Sequence, residues 1–465
     1  MSKIFVFGIG GTGSRVLRSL TMLMATGVKF GADEIVPIII DPDTANADLT
    51  RTVTLLNNYS AIRSELQFSN DNKSRFFRTE IEQIMPNYTL RINDTDDKSF
   101  KQFIEYASMS KTNKAFTKML FSDKNLESSM EVGFKGNPNI GSVVLNQISS
   151  SDDFNDFANQ FSDGDRIFIV SSIFGGTGAS GFPLLLKTLR TGQNFPNHDI
   201  INRCTIGAVT ILPYFKLQQD EDSEIDSSTF ISKTKSALAY YEQNISKNGT
   251  IDALYYLADD VAKTYENHEG GSTQKNDAHL IEFLGATAIV NFSNSNFANT
   301  SNMELGIKDG SNVVSFDSFY RQMRELLYFP MVQFTLMANA LTHKLRKCCS
   351  SAFNANSKGN FDDLYSGTFF NYLTSFFARY QEWLKEMKEN KRSLDLFNLD
   401  CGDKPFELVT GVKPKRIFSR YSDYDLVIAR LDTAVNNCKS NGKNNKFLEM
   451  FYLGTEQLIK EKLSN

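Results

Sequence analysis

Apolar positions along this chain follow two alternating rhythms. Short unbroken runs occur at Ile4-Phe5-Val6-Phe7, Ile35-Val36-Pro37-Ile38-Ile39-Ile40 and Ile167-Phe168-Ile169-Val170, and again near 206–212 and 254–257. They are too short for helices and too uniformly apolar for half-exposed strands, so they predict buried parallel strands. Between them apolar residues recur every three or four positions. Val16, Leu17, Leu20, Leu23 and Met24 predict a helix over 14–26, stopped at Gly27. Leu184, Leu185, Leu186 and Leu189 predict one over 181–190, and a further helix is expected over 230–245. Leu280, Ile281, Leu284, Ala288 and Ile289 predict a strongly apolar helix over 278–292. The alternation predicts an α/β fold with a parallel-core sheet and helices on both faces. Ligands of such sheets sit at the carboxyl ends of the strands.

Residues 60–130 are polar, with helix-like patches at 75–85 and 101–107, and read as an insertion between sheet strands. A loop and a helix are expected over 131–148. Beyond about residue 300 the pattern turns helical. Helices are predicted over 320–347 around Pro330, over 369–388 with the only tryptophan, Trp383, and over 446–462. Polar loops fall at 354–361 and 436–445, and no internal repeat is visible.

Composition narrows the class. The chain has 465 residues, enough for two or three domains and a large core. Lys plus Arg is 50 against 54 for Asp plus Glu, a net charge of −4, which argues against broad electrostatic binding of nucleic acid. Five cysteines, with no Cys-x-x-Cys pair, and four histidines make a structural zinc site an unfavoured reading. They fit reduced thiols in a soluble cytoplasmic protein, and Cys348-Cys349 reads as packing. No apolar run reaches the ~18–20 residues of a membrane span, and no signal peptide is visible. The 38 phenylalanines, mostly at helical spacing, read as core.

Two glycine-rich loops carry the candidate chemistry. Gly8-Ile9-Gly10-Gly11-Thr12-Gly13-Ser14 follows the first strand, and Gly175-Gly176-Thr177-Gly178-Ala179-Ser180-Gly181 follows the strand at 166–170. A strand–Gly loop–helix unit brings backbone N–H groups and a helix N-terminus to phosphate oxygens. Gly176 and Gly178 are expected to supply close amide contacts at positive φ, and Thr177 and Ser180 add hydroxyls. Asp41 ends the second strand where a ribose-binding acid would sit, with Asp43 beside it. Gly136-Asn137-Pro138-x-x-Gly141 supplies a third turn whose amides suit a terminal phosphate.

In order and context these motifs resemble the tubulin/FtsZ superfamily, nearer to divergent bacterial tubulin-like proteins than to FtsZ itself. The family's G-x-G-G-x-G loop is matched by residues 8–13, and its G-G-G-T-G-[ST]-G signature by the similar residues 174–181. Its G-x-N-P-x-x-G loop has a counterpart in residues 136–141, its aspartate turn in Asp41-Pro42-Asp43, and a further strand end in residues 209–215. The helix from Asn276 onward takes the place of the long central helix, which implies a role for Asn276 near the base. The resemblance implies a nucleotide-binding domain over 1–300, with the insertion at about 60–130, and a C-terminal helical assembly domain over 301–465. It also implies GTP or GDP as ligand, with Mg2+, and self-association head to tail into filaments. The expected nucleotide contacts are Gly10, Gly11, Thr12, Asp41, Asp43, Gly136, Asn137, Gly175, Gly176, Thr177, Gly178, Ser180 and Asn276.

The chain departs from the family at the catalytic loop. N-x-D-x-x-D, which follows the central helix in FtsZ, has no clean match. The nearest segments are 299–304 and Asn312 with Asp317, making Glu304 and Asp317 the candidate acids and slow hydrolysis the expectation. A non-polymerising nucleotide sensor or scaffold fits the intact phosphate loops equally. It would work with operon-encoded partners in a multi-gene bacterial system, such as defence against phage. An adenylating enzyme of the ubiquitin-activating type would explain the first loop, Asp41, Asp43 and Arg51, but not residues 175–181. His279 and Glu282, three apart on one helical face, lack partner ligands for a metal. The acidic run at 220–226 reads as a solvated loop, and Trp383 as a core or interface residue.

Overall fold

Among the described residues, seven parallel strands form the central sheet: β1 (Lys3–Ile9), β2 (Glu34–Ile40), β3 (Glu80–Ile81), β4 (Arg166–Ser172), β5 (Thr205–Ile211), β6 (Ala253–Leu257) and β7 (Ser301–Glu304). The structure, a computed structural model, describes residues 2–463 except 70–71, 96, 131–133, 135–136, 218–229, 260–262, 266–270, 274, 297–300, 305–306, 309, 344–360, 362 and 416–421. Strand order is β3-β2-β1-β4-β5-β6-β7. Ile4 is in register with Ile35 on one side and Arg166 on the other. Sequence order therefore runs outward in both directions from the β1/β4 pair. In β1, β2, β4 and β5 every residue after the first is buried, which explains their unbroken apolar runs.

Helices α1 (Gly10–Ala25) and α2 (Ala47–Ser64) follow the first two strands. Next come α3 (Pro138–Leu145), α4 (Asp152–Gln160), α5 (Gly176–Thr191), α6 (Phe230–Tyr241) and α7 (Leu280–Asn294). One sheet face carries α1 and α7. A Cβ on Gly8 would lie 2.7 Å from Leu17, one on Gly285 would lie 3.1 Å from Val16, and one on Gly207 would lie 2.6 Å from Phe292. The other face carries α4 and α5. Phe157 of α4 sits edge-on to Phe5 and Phe7 at 5.2 and 5.1 Å, and Gly181 of α5 lies against Ile9.

Beyond the sheet are α8 (Arg321–His343), α9 (Thr368–Lys388), α10 (Asp423–Val435) and α11 (Lys443–Leu458). The expected mostly helical C-terminal region is present, and Pro330 lies inside α8. These helices pack against the first half through aromatic side chains. Phe77 meets Tyr59 and Phe376 at 5.3 and 5.1 Å, and Phe76 meets Phe334 at 5.5 Å. Trp383 is fully buried and donates its indole N–H to Ser19 Oγ of α1 at 3.2 Å, a core residue as expected.

Several boundaries differ from the sequence reading. Helices α1 and α5 begin at Gly10 and Gly176, four and five residues earlier than the periodicity indicated, because glycine carries no apolar signal. The 60–130 stretch is not wholly an insertion. Residues up to Ser64 complete α2, and Glu80–Ile81 is the third sheet strand. The expected helix at 75–85 is instead a turn and that strand. Phe77 adopts φ 55° there, placing both phenylalanines in the aromatic core. Helices α2, α4 and α10 were not expected; α2 shows almost no net apolar face, and its start is marked by Asn46, whose side chain caps Asp48 and Leu49. The acidic run at 220–226 and Cys348-Cys349 lie outside the described residues.

Candidate functional site at the strand carboxyl ends

The two strands flanking the reversal of strand order, β1 and β4, are the two that run into the glycine-rich loops. Their side-by-side pairing puts both loops on one sheet edge. A Cβ on Gly10 would lie 3.5 Å from Thr177 Cβ and 3.7 Å from the Gly178 amide nitrogen. Because the loop residues form the first turns of α1 and α5, two sets of amides without helical partners converge there. Thr12 and Thr177 are buried beside them.

The glycines have different reasons to be glycine. Gly10 has φ +71° and only ordinary contacts around its missing side chain, so its requirement is conformational. Gly13 is steric, since a Cβ would stand 2.4 Å from the Gly8 carbonyl carbon. Gly178 is steric as well, with Ser172 O at 2.7 Å from a Cβ. The expectation of positive φ at Gly176 and Gly178 is corrected: of the glycines in the two loops, only Gly10 adopts it. Gly175 caps α5 with its backbone, and Gly11 faces Arg15.

Around this edge lie the remaining expected residues. Asp41 Oδ1 accepts the Asp43 N–H at 3.1 Å, and Asp43 Oδ2 accepts the Gly271 N–H at 2.7 Å. Burial pushes the Asp41 carboxyl up to about 7, with Asp43 and Asp48 adding to the rise and the Asp43 amide opposing it. Asn137 is the N-cap residue of α3; Gly136 lies outside the described residues. Ser180 donates its hydroxyl to the Gly176 carbonyl at 2.7 Å and faces Gly141 of α3, where a Cβ would come within 2.2 Å. Its hydroxyl is thus bonded within α5, and the side chain packs against α3. Asn276 donates its side-chain amide to Asp48 Oδ2 at 3.0 Å and its backbone N–H to Oδ1 at 3.1 Å.

Glu304 is the last residue of β7, at the same sheet end as the loops. Asp317 pairs with Arg324 at 3.3 Å and is 65% exposed. It is next to Ser318-Phe319, whose ring stacks on Phe283 in the first turn of α7, again at the loop end. The structure does not bring these two acids to the opposite end of the sheet. That end carries a polar groove lined by Lys29, Asp163, Arg166, Arg203, Asn294 and Asn296.

Sequence reasoning missed the cluster beneath the first loop. Arg15 of α1 is buried, donating to Glu282 Oε1 at 2.6 Å, to Asp48 Oδ2 at 2.9 Å and to the Tyr214 hydroxyl at 2.9 Å. Tyr214 donates in turn to Glu282 at 2.9 Å. Burial works against the Arg15 charge, but Tyr214, Glu282 and Asp48 hold the guanidinium firmly protonated. Burial raises the Glu282 carboxyl, opposed by Arg15, the His279 amide and Tyr214. Glu282 also accepts the His279 N–H at 3.1 Å and closes a capping box on α7, so the His279/Glu282 pair is a helix cap. Arg18 and Arg51 extend the network to Glu386 of α9, whose carboxylate also accepts the Ala278 N–H at 2.9 Å. The available signal was Arg15 and Arg18 lying on a helix that is otherwise apolar or small.

No family model and no curated protein matches the chain. Among solved structures it is similar to CetZ2 from Haloferax volcanii, a GTPγS-bound protofilament, at 14% identity and a TM-score of 0.27, over 55% of this chain and 49% of that one. CetZ from Methanosaeta thermophila is similar at 14% identity and a TM-score of 0.26, over 63% of this chain and 54% of that one. The match spans about half the length of each structure. The fold rests on the sheet order and the paired glycine loops, which make this an α/β chain with a parallel core and a helical C-terminal region.

Proposed function

We propose that the chain binds a guanine nucleotide at the shared edge of β1 and β4, as a tubulin-like protein that assembles head to tail and hydrolyses GTP slowly. One observation carries the reading. Two glycine-opened helices leave the strands at which the order reverses, with Gly10 packed against Thr177. That crevice is where open α/β sheets bind ligands, and paired helix N-termini favour phosphates. Gly10, Gly11, Thr12, Gly175, Gly176, Thr177 and Gly178 form the phosphate grip. Asp41 and Asp43 face the ribose side, Asn137 the terminal phosphate, and Asn276 the base. Among the described residues no group of three or more His, Cys, Asp or Glu side chains is arranged to hold a metal. Mg2+ would therefore arrive with the nucleotide, which suits an ion bound largely by substrate phosphates and water.

Head-to-tail assembly would set the polar groove around Lys29, Arg166 and Arg203 against the next subunit's loops. The segment after α7 holds no acidic residue from Ser295 to Met303, so the N-x-D-x-x-D position is not filled there and the groove's carboxylates, Asp163 and Asp165, come from the turn before β4. This supports slow turnover, and it favours the second reading to the same degree: a nucleotide-bound sensor or scaffold that does not polymerise. Titration calorimetry with GTP, GDP and ATP, joined to sedimentation with each, tests both. Tighter binding of ATP than GTP rejects the guanine assignment. GTP binding without concentration-dependent sedimentation selects the sensor.

A further inference from the structure

The helix Lys111–Leu120 turns its apolar side outward. Phe116, Met119 and Leu120, spaced i, i+3 and i+4, are 61, 83 and 55% exposed. Thr117 is the only buried residue of the helix. Lysines at 111, 114 and 118, spaced i, i+3 and i+7, form a row on another side of the same helix. Lys118 lies 3.6 Å from Asp123, and Lys114 donates to the Ala107 carbonyl at 2.7 Å. Residues 98–124 hold six lysines and two acidic residues in a chain whose net charge is −4, so the patch is locally basic against an acidic whole.

From this arrangement we infer that the 111–120 helix docks on an anionic lipid bilayer. A helix with large apolar residues on one side and lysines on the other lies in the plane of a membrane surface. Its apolar side enters the acyl boundary and its lysines meet the lipid phosphates. The helix is about 15 Å long, and three side chains fall well short of the roughly 1,000 Å² a specific protein interface needs. The lysine row is complementary to an anionic surface, whereas the same face of a second copy would set lysine against lysine. The inference does not rest on the nucleotide reading.

Vesicle flotation of the full chain tests it, with phosphatidylserine/phosphatidylcholine vesicles against phosphatidylcholine alone, at low and high salt. The wild type should float with the anionic vesicles, stay behind with the neutral ones, and lose at least tenfold of its binding at high salt. Phe116→Ser/Met119→Ser should abolish flotation while circular dichroism and melting temperature stay at wild-type values, because both side chains already face solvent. Lys111→Glu/Lys118→Glu should do the same. No flotation of the wild type, or unchanged flotation of either variant, overturns the proposal. Lipid-free self-association in the ultracentrifuge that Phe116→Ser/Met119→Ser removes would assign the face to a second copy and overturn it equally.

Discussion

Arg15 Nε lies 2.6 Å from Glu282 Oε1, tying the helix that opens at the first glycine loop to the cap of the apolar helix α7. Both side chains are buried, and Asp48 shares the guanidinium at 2.9 Å. Arg15 is therefore shared by two carboxylates out of water, with Arg51 3.9 Å from Asp48 on its other oxygen. Arg15→Met should cost about 3–5 kcal/mol, because it removes the buried cation that both carboxylates share and leaves them only neutral donors and Arg51 at 3.9 Å from Asp48. Glu282→Gln should cost less, since an amide oxygen still accepts from Nε. Chemical denaturation of the single and double variants should give a coupling of about 1 kcal/mol or more. Additive losses would mean that the pair contributes nothing jointly.

The two kinds of glycine should separate in mutants. Gly10→Ala meets no clash and strains only a positive φ, so it should cost about 1 kcal/mol and weaken GTP binding. Gly178→Val drives a side chain into the Ser172 backbone and should destabilise the fold along with binding. Melting curves read beside calorimetry decide between these outcomes. Equal stability losses at the two positions would contradict the distinction.

Asp41 should make the nucleotide-free protein less stable as pH rises from about 4 to neutrality. The carboxyl releases its proton near 3.8 unfolded and near about 7 folded. Across that window the folded state binds more protons, so stability is full below about pH 4 and falls as pH rises to about 7. The ceiling on this loss is about 4 kcal/mol. Asp41→Asn should flatten the profile and exceed the wild type in stability at pH 8. Denaturant midpoints at pH 5 and 8 measure this, and parallel profiles in the two proteins would exclude Asp41 as the source.

Assembly and turnover should rise together with protein concentration, because binding and association are linked by mass action. Light scattering and phosphate release with GTP should both be weak in dilute protein. Asp317→Asn should leave phosphate release within twofold, since that carboxylate faces solvent beside Arg324. A tenfold loss would identify Asp317 as the catalytic acid. Full-rate hydrolysis in dilute monomer would exclude a site shared between subunits.

Periodicity alone was enough to specify the buried strands, most of the helices and the α/β class. A strand buried on both faces must be apolar throughout, and a helix packed on one face must repeat every three to four residues. The glycine loops were legible for the same local reason, since glycine stands out wherever backbone must approach backbone. Three things were decided only by the tertiary structure. Strand order placed Gly10 beside Thr177, and no local pattern encodes which strands become neighbours. Burial sorted the glycines into one conformational and several steric cases. Folding also gathered Arg15, Asp48, Tyr214 and Glu282 from four distant segments, where each alone reads as an ordinary polar residue. A charge's meaning depends on the partner that replaces its water, and that partner is chosen by the fold.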